Sequence, residues 1–517
     1  MINFGFSYVG LIYLIMLFVP NIIWAKKKPQ GYEEYEKHEN RILLAFERTG
    51  EVLLSVLALI FKDTNVRPGS WWIGWLAASF LAMVLYEFYW LRYFRSKRTM
   101  EDMYSSFAGF PVAGATLPVL AFFLLGIYAS NIFIIISSLI MAVGHIGIHL
   151  QHRKEAGVTS NKSRPVRIAI GMALVVTLIP IVIAVCISVF FIAKRNINYL
   201  SCFINPSKGI EEQTYVDING QKQFISIRGK DKTNPVILFL HGGPLSPDSY
   251  VTYTYADSLI DDYTFVCWDQ RGCGRTYIAN DDKTNSTVSF DQALDDLDVL
   301  TGYLCDRFGT DKIIIMGHSY GSLLGARYVY DHPEKVSAYI GIGQFVNDRL
   351  SVISEYEDSM LIAGSAGDDT TYMTKAYEAY LEDPNYHTSD EISAYMAQYH
   401  PSPDYSGLVM TALESPYLAT EDLQWFLAPQ TEDEIISLEE GLLEACLTED
   451  LTTQTDYQVP VFFISGADDW TCSYRVMTDY AEQIGADYVL IEGAGHSVQG
   501  EKPDEFVSAV KAFLKDI

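Results

Sequence analysis

Residues 312–328 read Lys312-Ile313-Ile314-Ile315-Met316-Gly317-His318-Ser319-Tyr320-Gly321-Ser322-Leu323-Leu324-Gly325-Ala326-Arg327-Tyr328. An apolar run, a Gly-x-Ser-x-Gly turn and a run of helix formers follow one another without a break. That order predicts strand, sharp turn and helix, with Ser319 held at the tip of the turn. Glycines two before and two after the serine suit such a turn, because side chains there would meet the adjoining strand and helix.

The chain around this stretch alternates. Thr214–Ile218 and Gln223–Arg228 are predicted strands joined by Asn219-Gly220, a good hairpin turn. Residues 235–240 form a buried strand that ends in His241-Gly242-Gly243-Pro244. Residues 264–268 form the next, ending in Asp269-Gln270-Arg271-Gly272-Cys273-Gly274-Arg275. A helix over 288–308, the strand before Ser319 and a strand over 336–342 continue the pattern. Strands alternating with helices predict a mostly parallel sheet.

Residues 345–456 break the rhythm. They hold 24 Asp and Glu but only two bases, Arg349 and Lys375. So long a segment inside a compact domain is not a bare loop, and its helix-prone composition predicts an inserted helical lid. Alternation then resumes. A strand over 459–465 ends in Gly466-Ala467-Asp468-Asp469, a helix covers 474–484, and a last strand over 487–491 runs into Gly493-Ala494-Gly495-His496-Ser497.

Ser319, Asp469 (or Asp468) and His496 therefore fall at the C-terminal ends of strands, where open α/β sheets place their sites. A serine hydroxyl is a weak nucleophile until an imidazole takes its proton, and a carboxylate fixes the tautomer and stabilises the imidazolium. Charge that develops on an attacked carbonyl also needs donors. The Tyr320 N–H is one, and Gly243 in the 241–244 turn is the first choice for the other. His241 is read as a structural hydrogen-bonding residue, since His496 has the better place in the chain.

The first 200 residues have a different texture. They carry 19 Lys and Arg against 11 Asp and Glu, a balance of +8, whereas the remainder carries −35. The acidic half argues against nucleic acid as a partner. Apolar stretches at about 4–25, 42–61, 71–91, 107–128, 131–150 and 168–193 predict about six transmembrane helices, each long enough for a hydrocarbon core of about 30 Å. The 42–61 stretch is interrupted by Glu47, Arg48 and Glu51. Connecting segments on one side hold 14 Lys and Arg and those on the other hold 4. The basic side is expected in the cytoplasm and the acidic half outside it. The first stretch lacks a basic start and a cleavage site, which predicts a retained helix. His145 and His149, four apart with His152 beyond, share a helix face. They are read as snorkelling to the cytoplasmic end or bonding to neighbouring helices, with a metal site or proton relay as the alternative, and Glu87 is left open. The seven cysteines (186, 202, 267, 273, 305, 446 and 472) show no metal-ligand spacing, so neither a metal nor another cofactor is expected.

Together these features resemble the α/β-hydrolase superfamily, and within it the proline iminopeptidase group of serine peptidases. His241-Gly242-Gly243-Pro244, the 268–275 segment and Gly317–Ser322 carry the narrower match, over about residues 213–515. The resemblance implies Ser319 as nucleophile, Asp469 as triad acid, His496 as base, and Gly243 with Tyr320 as oxyanion hole. Asp469 is preferred because the family's acid falls three residues after the strand-end glycine. The Asp269-Gln270-Arg271 loop is expected to be a strut. Leu245 stands where the family has a further glycine. His318 and Tyr320 replace a glycine and a tryptophan in the elbow. Acids of the family's lid bind the substrate amine, a part Glu414 or Glu439 could take.

The expected architecture is a transmembrane bundle (1–195), a connector (196–212), a hydrolase core (213–344 and 457–517) and the lid (345–456). The expected activity is a membrane-anchored aminopeptidase acting on short peptides through an acyl-enzyme. The alternative is a serine esterase or amidase with acyl or lipid-like substrates. A non-catalytic ligand-binding membrane sensor is a third class, against which stands the complete set of serine, acid and histidine.

Overall fold

The computed structural model describes residues 3–67, 72–158, 185–280, 288–401, 405–427, 433–515 and 517. The chain divides into two compact units, Met1–Ser201 and Cys202–Ile517.

The first unit is helical. Its main helices are Tyr8–Ala25, Arg41–Ile60, Ile73–Arg95, Ala113–Tyr128 and Ile132–Met141, the last continuing through a wide turn at Ala142–Ile146 into Gly147–Glu155. Asn40 caps the second by accepting from the N–H groups of Ile42 and Leu43. Tyr8–Ala25, Ile73–Arg95 and Ile132–Glu155 are long and apolar enough to cross a membrane. Arg41–Ile60 contains Glu47, Arg48 and Glu51, and Ala113–Tyr128 has only 16 residues. The sixth predicted span lies mostly outside the described residues. Two glycines let Arg41–Ile60 press against the helix after Asn131. A Cβ on Gly50 would stand 2.5 Å from the Met141 nitrogen, and one on Gly144 2.2 Å from the Glu47 nitrogen. Tyr13, Tyr86, Tyr89, Tyr93 and Tyr104 fill much of the interior.

The second unit is built on an eight-stranded sheet. The strands are β1 (Ile210–Ile218), β2 (Gln221–Gly229), β3 (Val236–Leu240), β4 (Thr264–Asp269), β5 (Ile313–His318), β6 (Val336–Ile342), β7 (Val461–Gly466) and β8 (Asp487–Ile491). Their order is β1-β2-β4-β3-β5-β6-β7-β8. β1 and β2 pair antiparallel, as do β2 and β4; the rest run parallel. Asn219 and Gly220 both take positive φ, so the hairpin forms where the Asn-Gly pair predicts it. β3, β4 and β5 are buried along their whole length. This is why they read as unbroken apolar runs.

Between β6 and β7 the chain leaves the sheet for six α-helices among the described residues, from Asp348–Ala366 to Asp433–Thr448. The Leu451 N–H bonds the Val346 carbonyl at 3.0 Å, so the insertion leaves beside the point where it enters. A second tie holds the insertion to the core: buried Arg275 grips buried Asp422 with Nε and Nη2 at 2.8 and 2.6 Å. The expected strut is also present. Arg271 bonds both oxygens of buried Asp296, at 2.7 and 3.0 Å.

Candidate active site

Ser319 follows β5 with φ 53° and ψ −122°. A non-glycine residue held there costs about 1–3 kcal/mol, which the surroundings must offset. The Ser319 N–H bonds the Ile342 carbonyl at 3.0 Å, and its own carbonyl accepts from the Ser322 N–H and hydroxyl. The flanking glycines leave no alternative residue. A Cβ on Gly317 would lie 2.2 Å from the Gly321 oxygen, and one on Gly321 2.3 Å from the Leu240 oxygen.

Helix Tyr320–Asp331 starts at the next residue. The Tyr320 N–H belongs to its first turn, where no intrahelical acceptor exists. The Tyr320 ring is buried and packs edge-on against Phe290 at 6.1 Å, so this elbow side chain faces the core. The Gly242-Gly243 loop lies against the serine. A Cβ on Gly242 would sit 2.9 Å from the Ser319 Cβ. Gly243 has φ 112°, beyond the ordinary reach of an L side chain.

His496, after β8, donates its Nδ1–H to Asp469, with both carboxylate oxygens at 3.0 Å. Asp469 is 1% exposed, whereas neighbouring Asp468 is exposed. Asp469 Oδ1 also accepts from the N–H groups of Thr471 and Cys472, each at 3.0 Å, and Oδ2 from the Ser465 hydroxyl at 3.3 Å. Burial opposes the imidazolium of His496, but the Asp469 carboxylate outweighs it and raises the pKa. Among the described residues no hydrogen bond joins Ser319 to His496; such contacts commonly tighten only with substrate.

The other two histidines nearby are held neutral. Burial pushes His241 down to about 4. Its Nδ1–H bonds the Gly242 carbonyl at 2.9 Å, and its Nε2 accepts from the Gln270 N–H and the Cys273 thiol. That is a structural arrangement. Burial and the neighbouring His496 push His318 down to about 3. All seven cysteines are free thiols.

Three features at the site were not foreseen. Gly343, just after β6, has φ 48°, and a Cβ on it would lie 3.0 Å from Asp469 Oδ2 and 3.1 Å from His496 Nδ1. His318 donates from Nε2 to the His496 carbonyl at 2.9 Å. Glu355, on helix Asp348–Ala366, is 5% exposed and raised to about 7, first by burial. It stands near enough to feel the charge of Asp469. Its carboxylate is 3.6 Å from His400 Nε2, and the His400 ring stacks on Trp470, next to Asp469. The acids named from sequence lie on other helices, Glu414 at the end of Tyr405–Glu414 and Glu439 within Asp433–Thr448, both half-buried. A glycine or glutamate at such positions carries no sequence mark until the fold brings it to the acid loop.

In the helical unit His145 Nδ1 is 2.5 Å from Glu47 Oε1, and the Tyr104 hydroxyl is 2.8 Å from His152 Nδ1. His145 therefore bonds a neighbouring helix as expected, whereas among the described residues the buried His149 Nδ1 has no hydrogen-bond partner. Among the described residues no three His, Cys, Asp or Glu side chains are grouped to hold a metal ion.

The alpha/beta hydrolase fold family matches residues 235–503, more than half of the chain. The chain belongs to this family. A probable aminopeptidase of Bacillus subtilis (strain 168) is 32% identical over 154 residues, 30% of this chain and 48% of that protein. The match thus spans about half of that relative's length. A proline iminopeptidase of Saccharolobus solfataricus is 22% identical over 309 residues, 59% of this chain and 93% of the relative. Epoxide hydrolase 1 of Siraitia grosvenorii is 24% identical over 324 residues, 59% of this chain and 98% of the relative. Among solved structures, a proline iminopeptidase-related protein of Thermus thermophilus is 19% identical, with a TM-score of 0.42, covering 59% of this chain and 98% of that one. The α/β-hydrolase is thus of the proline iminopeptidase-like group expected from its motifs, and it is a hydrolase enzyme.

Proposed function

We propose that this α/β-hydrolase is a membrane-anchored serine aminopeptidase that removes N-terminal residues, proline among them, from short peptides. One observation carries the reading: a strained serine at the end of β5 shares the same edge of the sheet with a buried Asp469–His496 pair. Ser319 Oγ attacks the scissile carbonyl and His496 Nε2 takes its proton. Asp469 holds Nδ1 protonated and stabilises the imidazolium. The oxyanion is met by the N–H groups of Tyr320 and Gly243. His496 then protonates the leaving amine; water, giving a proton to the same nitrogen, attacks the acyl carbon, and that proton passes to Ser319 Oγ as its bond to the acyl group breaks.

The insertion at 345–456 serves as the lid, and an acid of it binds the substrate's ammonium group. Glu355, beside the acid loop, is the first choice, with Glu414 and Glu439 as the others. The division at 195, 212, 344 and 456 follows from the same reading. The helical unit anchors the enzyme in about six spans, supported by three long apolar helices. The excess of basic residues in alternate connections supports a hydrolase unit outside the cytoplasm. The partners are the bilayer and a small peptide or acyl substrate, not nucleic acid.

A second reading, an esterase or amidase on acyl or lipid-like substrates, draws on exposed apolar residues of the insertion. These are Leu408, Val409 and Met410 on one helix and Phe426 and Leu427 on another. The deciding experiment gives the full-length protein prolyl and other aminoacyl arylamides beside short acyl esters. Turnover of arylamides that vanishes in Ser319→Ala supports the peptidase. Ester turnover alone selects the second reading, and full activity in Ser319→Ala removes both.

A further inference from the structure

The chemistry above leaves His318 without a part, although it precedes the nucleophile directly. It is the last residue of β5 and 9% exposed. Its Nε2 stands 2.9 Å from the carbonyl oxygen of His496. A carbonyl only accepts, so Nε2 carries the proton. The His318 Nδ1 is turned to the glycine loop, 3.1 Å from where a Cβ on Gly242 would be. The two imidazoles lie 4.8 Å apart between centroids, inclined at 41°. One side chain therefore reaches the base loop and the oxyanion loop from the residue whose main chain leads directly into Ser319.

We propose that His318 is the positioning residue for His496, fixing the base through its main-chain carbonyl. The inference rests on the reading of Ser319 and His496 as nucleophile and base. Asp469 holds the His496 side chain at Nδ1. Nothing in that bond fixes the backbone that carries the ring. The Glu501 carboxylate accepts from the N–H groups of Gly495 and Ser497, at 2.8 and 3.1 Å, and so pins both flanks of the loop. His318 pins the residue between them. A base held at its flanks, its carbonyl and its Nδ1 keeps one free nitrogen, Nε2, for the serine proton. The strand that positions the nucleophile thereby also positions the base.

The charge state fits the task. Groups facing His318 and His496 are Asp469, Glu501 and His241. A neutral His318 donates without adding a second positive charge beside the imidazolium formed during the reaction. A protonated His318 would oppose it, and burial prevents that.

The test uses the full-length protein, a turned-over substrate and a fluorophosphonate probe that labels activated serines. His318→Phe keeps an aromatic ring and removes the donor. His318→Gln keeps a donor at similar reach. A base displaced by about 1 Å costs about 100-fold. The expected result is a fall of about that size in kcat and in labelling rate for His318→Phe, with KM unchanged. The acid limb of the pH–rate profile should move, and His318→Gln should recover most of the rate. Should His318→Phe not fold, His318→Gly, which adds no bulk, must show the same kcat loss. A His318→Phe or His318→Gly enzyme with wild-type kcat and pH limb overturns the inference. So does an equal loss in His318→Phe and a well-folded His318→Gln. Failure of the underlying reading looks different, because there the wild type itself is not labelled at Ser319.

Discussion

Asp469 is closed off from solvent, and each of its carboxylate oxygens stands 3.0 Å from Nδ1 of His496. The bond fixes the tautomer of His496 and keeps its pKa above the ordinary histidine value despite burial. The free base is the active form, so activity should rise with pH through that raised value. Asp469→Asn removes the charge but not the shape. The acid limb of kcat/KM should then move to lower pH. Loss of the correct tautomer should cost about 10⁴-fold in kcat. A pH–rate series on the two proteins checks both, and an unmoved limb would sink the pairing.

Gly343 is the second lever on the same pair. Gly343→Ala puts a methyl group 3.0 Å from Asp469 Oδ2 and 3.1 Å from His496 Nδ1, at a φ that alanine resists. The backbone strain costs about 1–2 kcal/mol. Displacement of the pair should cost more in rate than in stability, about 10- to 100-fold in kcat. Thermal melting and kcat measured together separate the two effects. A lowered melting temperature with normal kcat would show that the pair gives way without harm.

The elbow was legible because its pattern is local: Gly317 is set by the clash a Cβ would make with Gly321, and the sequence around Ser319 carries strand and helix patterns, although Gly321 itself answers to the Leu240 carbonyl of β3. Asp469 was preferred over Asp468 through its distance from Gly466, and its carboxylate is the one that meets His496. Gly343 and Glu355 were not legible because their importance arises only when β6, β7 and β8 lie side by side. Nothing separates Glu355 from the other acids of the insertion except a fold that buries it near Asp469. Elbow residues His318 and Tyr320 depart from the glycine and tryptophan of the resembling group. Their side chains turn inward, one to the base loop and one to Phe290. In the helical unit, charge within Arg41–Ile60 blurred the apolar signal. Glu47 is there because it meets His145.

Leu245 departs from the glycine usual in its group, and it takes φ 59° while being 7% exposed within the core. Leu245→Gly would relieve about 1 kcal/mol of backbone strain. It would also delete a buried side chain, at a cost of about 3–5 kcal/mol by analogy with truncation to alanine. Packing should win, so the variant is expected to unfold at lower denaturant. Chemical denaturation of the full-length protein reads the sign directly, and a stabilised variant would mean that the side chain packs poorly.

Gly144 should prove equally intolerant in the helical unit. Gly144→Ala would place a methyl group 2.2 Å from the Glu47 nitrogen and 2.5 Å from the Leu43 oxygen, both main-chain atoms. The helices must part, and the His145–Glu47 bond must stretch with them. Overpacking of this kind costs about 1–3 kcal/mol. The expected result is a lower melting temperature in detergent. An unchanged melting temperature would mean that the two helices are not in contact as described.

Glu355 offers the sharpest test of substrate class. Burial raises its carboxyl to about 7, so the group changes charge close to neutrality. An ammonium group is held by the ionised form. KM for an aminoacyl arylamide should therefore fall as pH rises through about 7, until the substrate amine itself loses its proton. KM for a short ester without an amine should stay flat over the same range. Glu355→Gln should raise KM for the arylamide about 10- to 100-fold, the equivalent of about 1.5–3 kcal/mol for a hydrogen bond to a charged group. It should also abolish the pH dependence of KM, while the ester is handled as before. An equal loss on both substrates would make Glu355 a structural support beside the acid loop, remote from the amine.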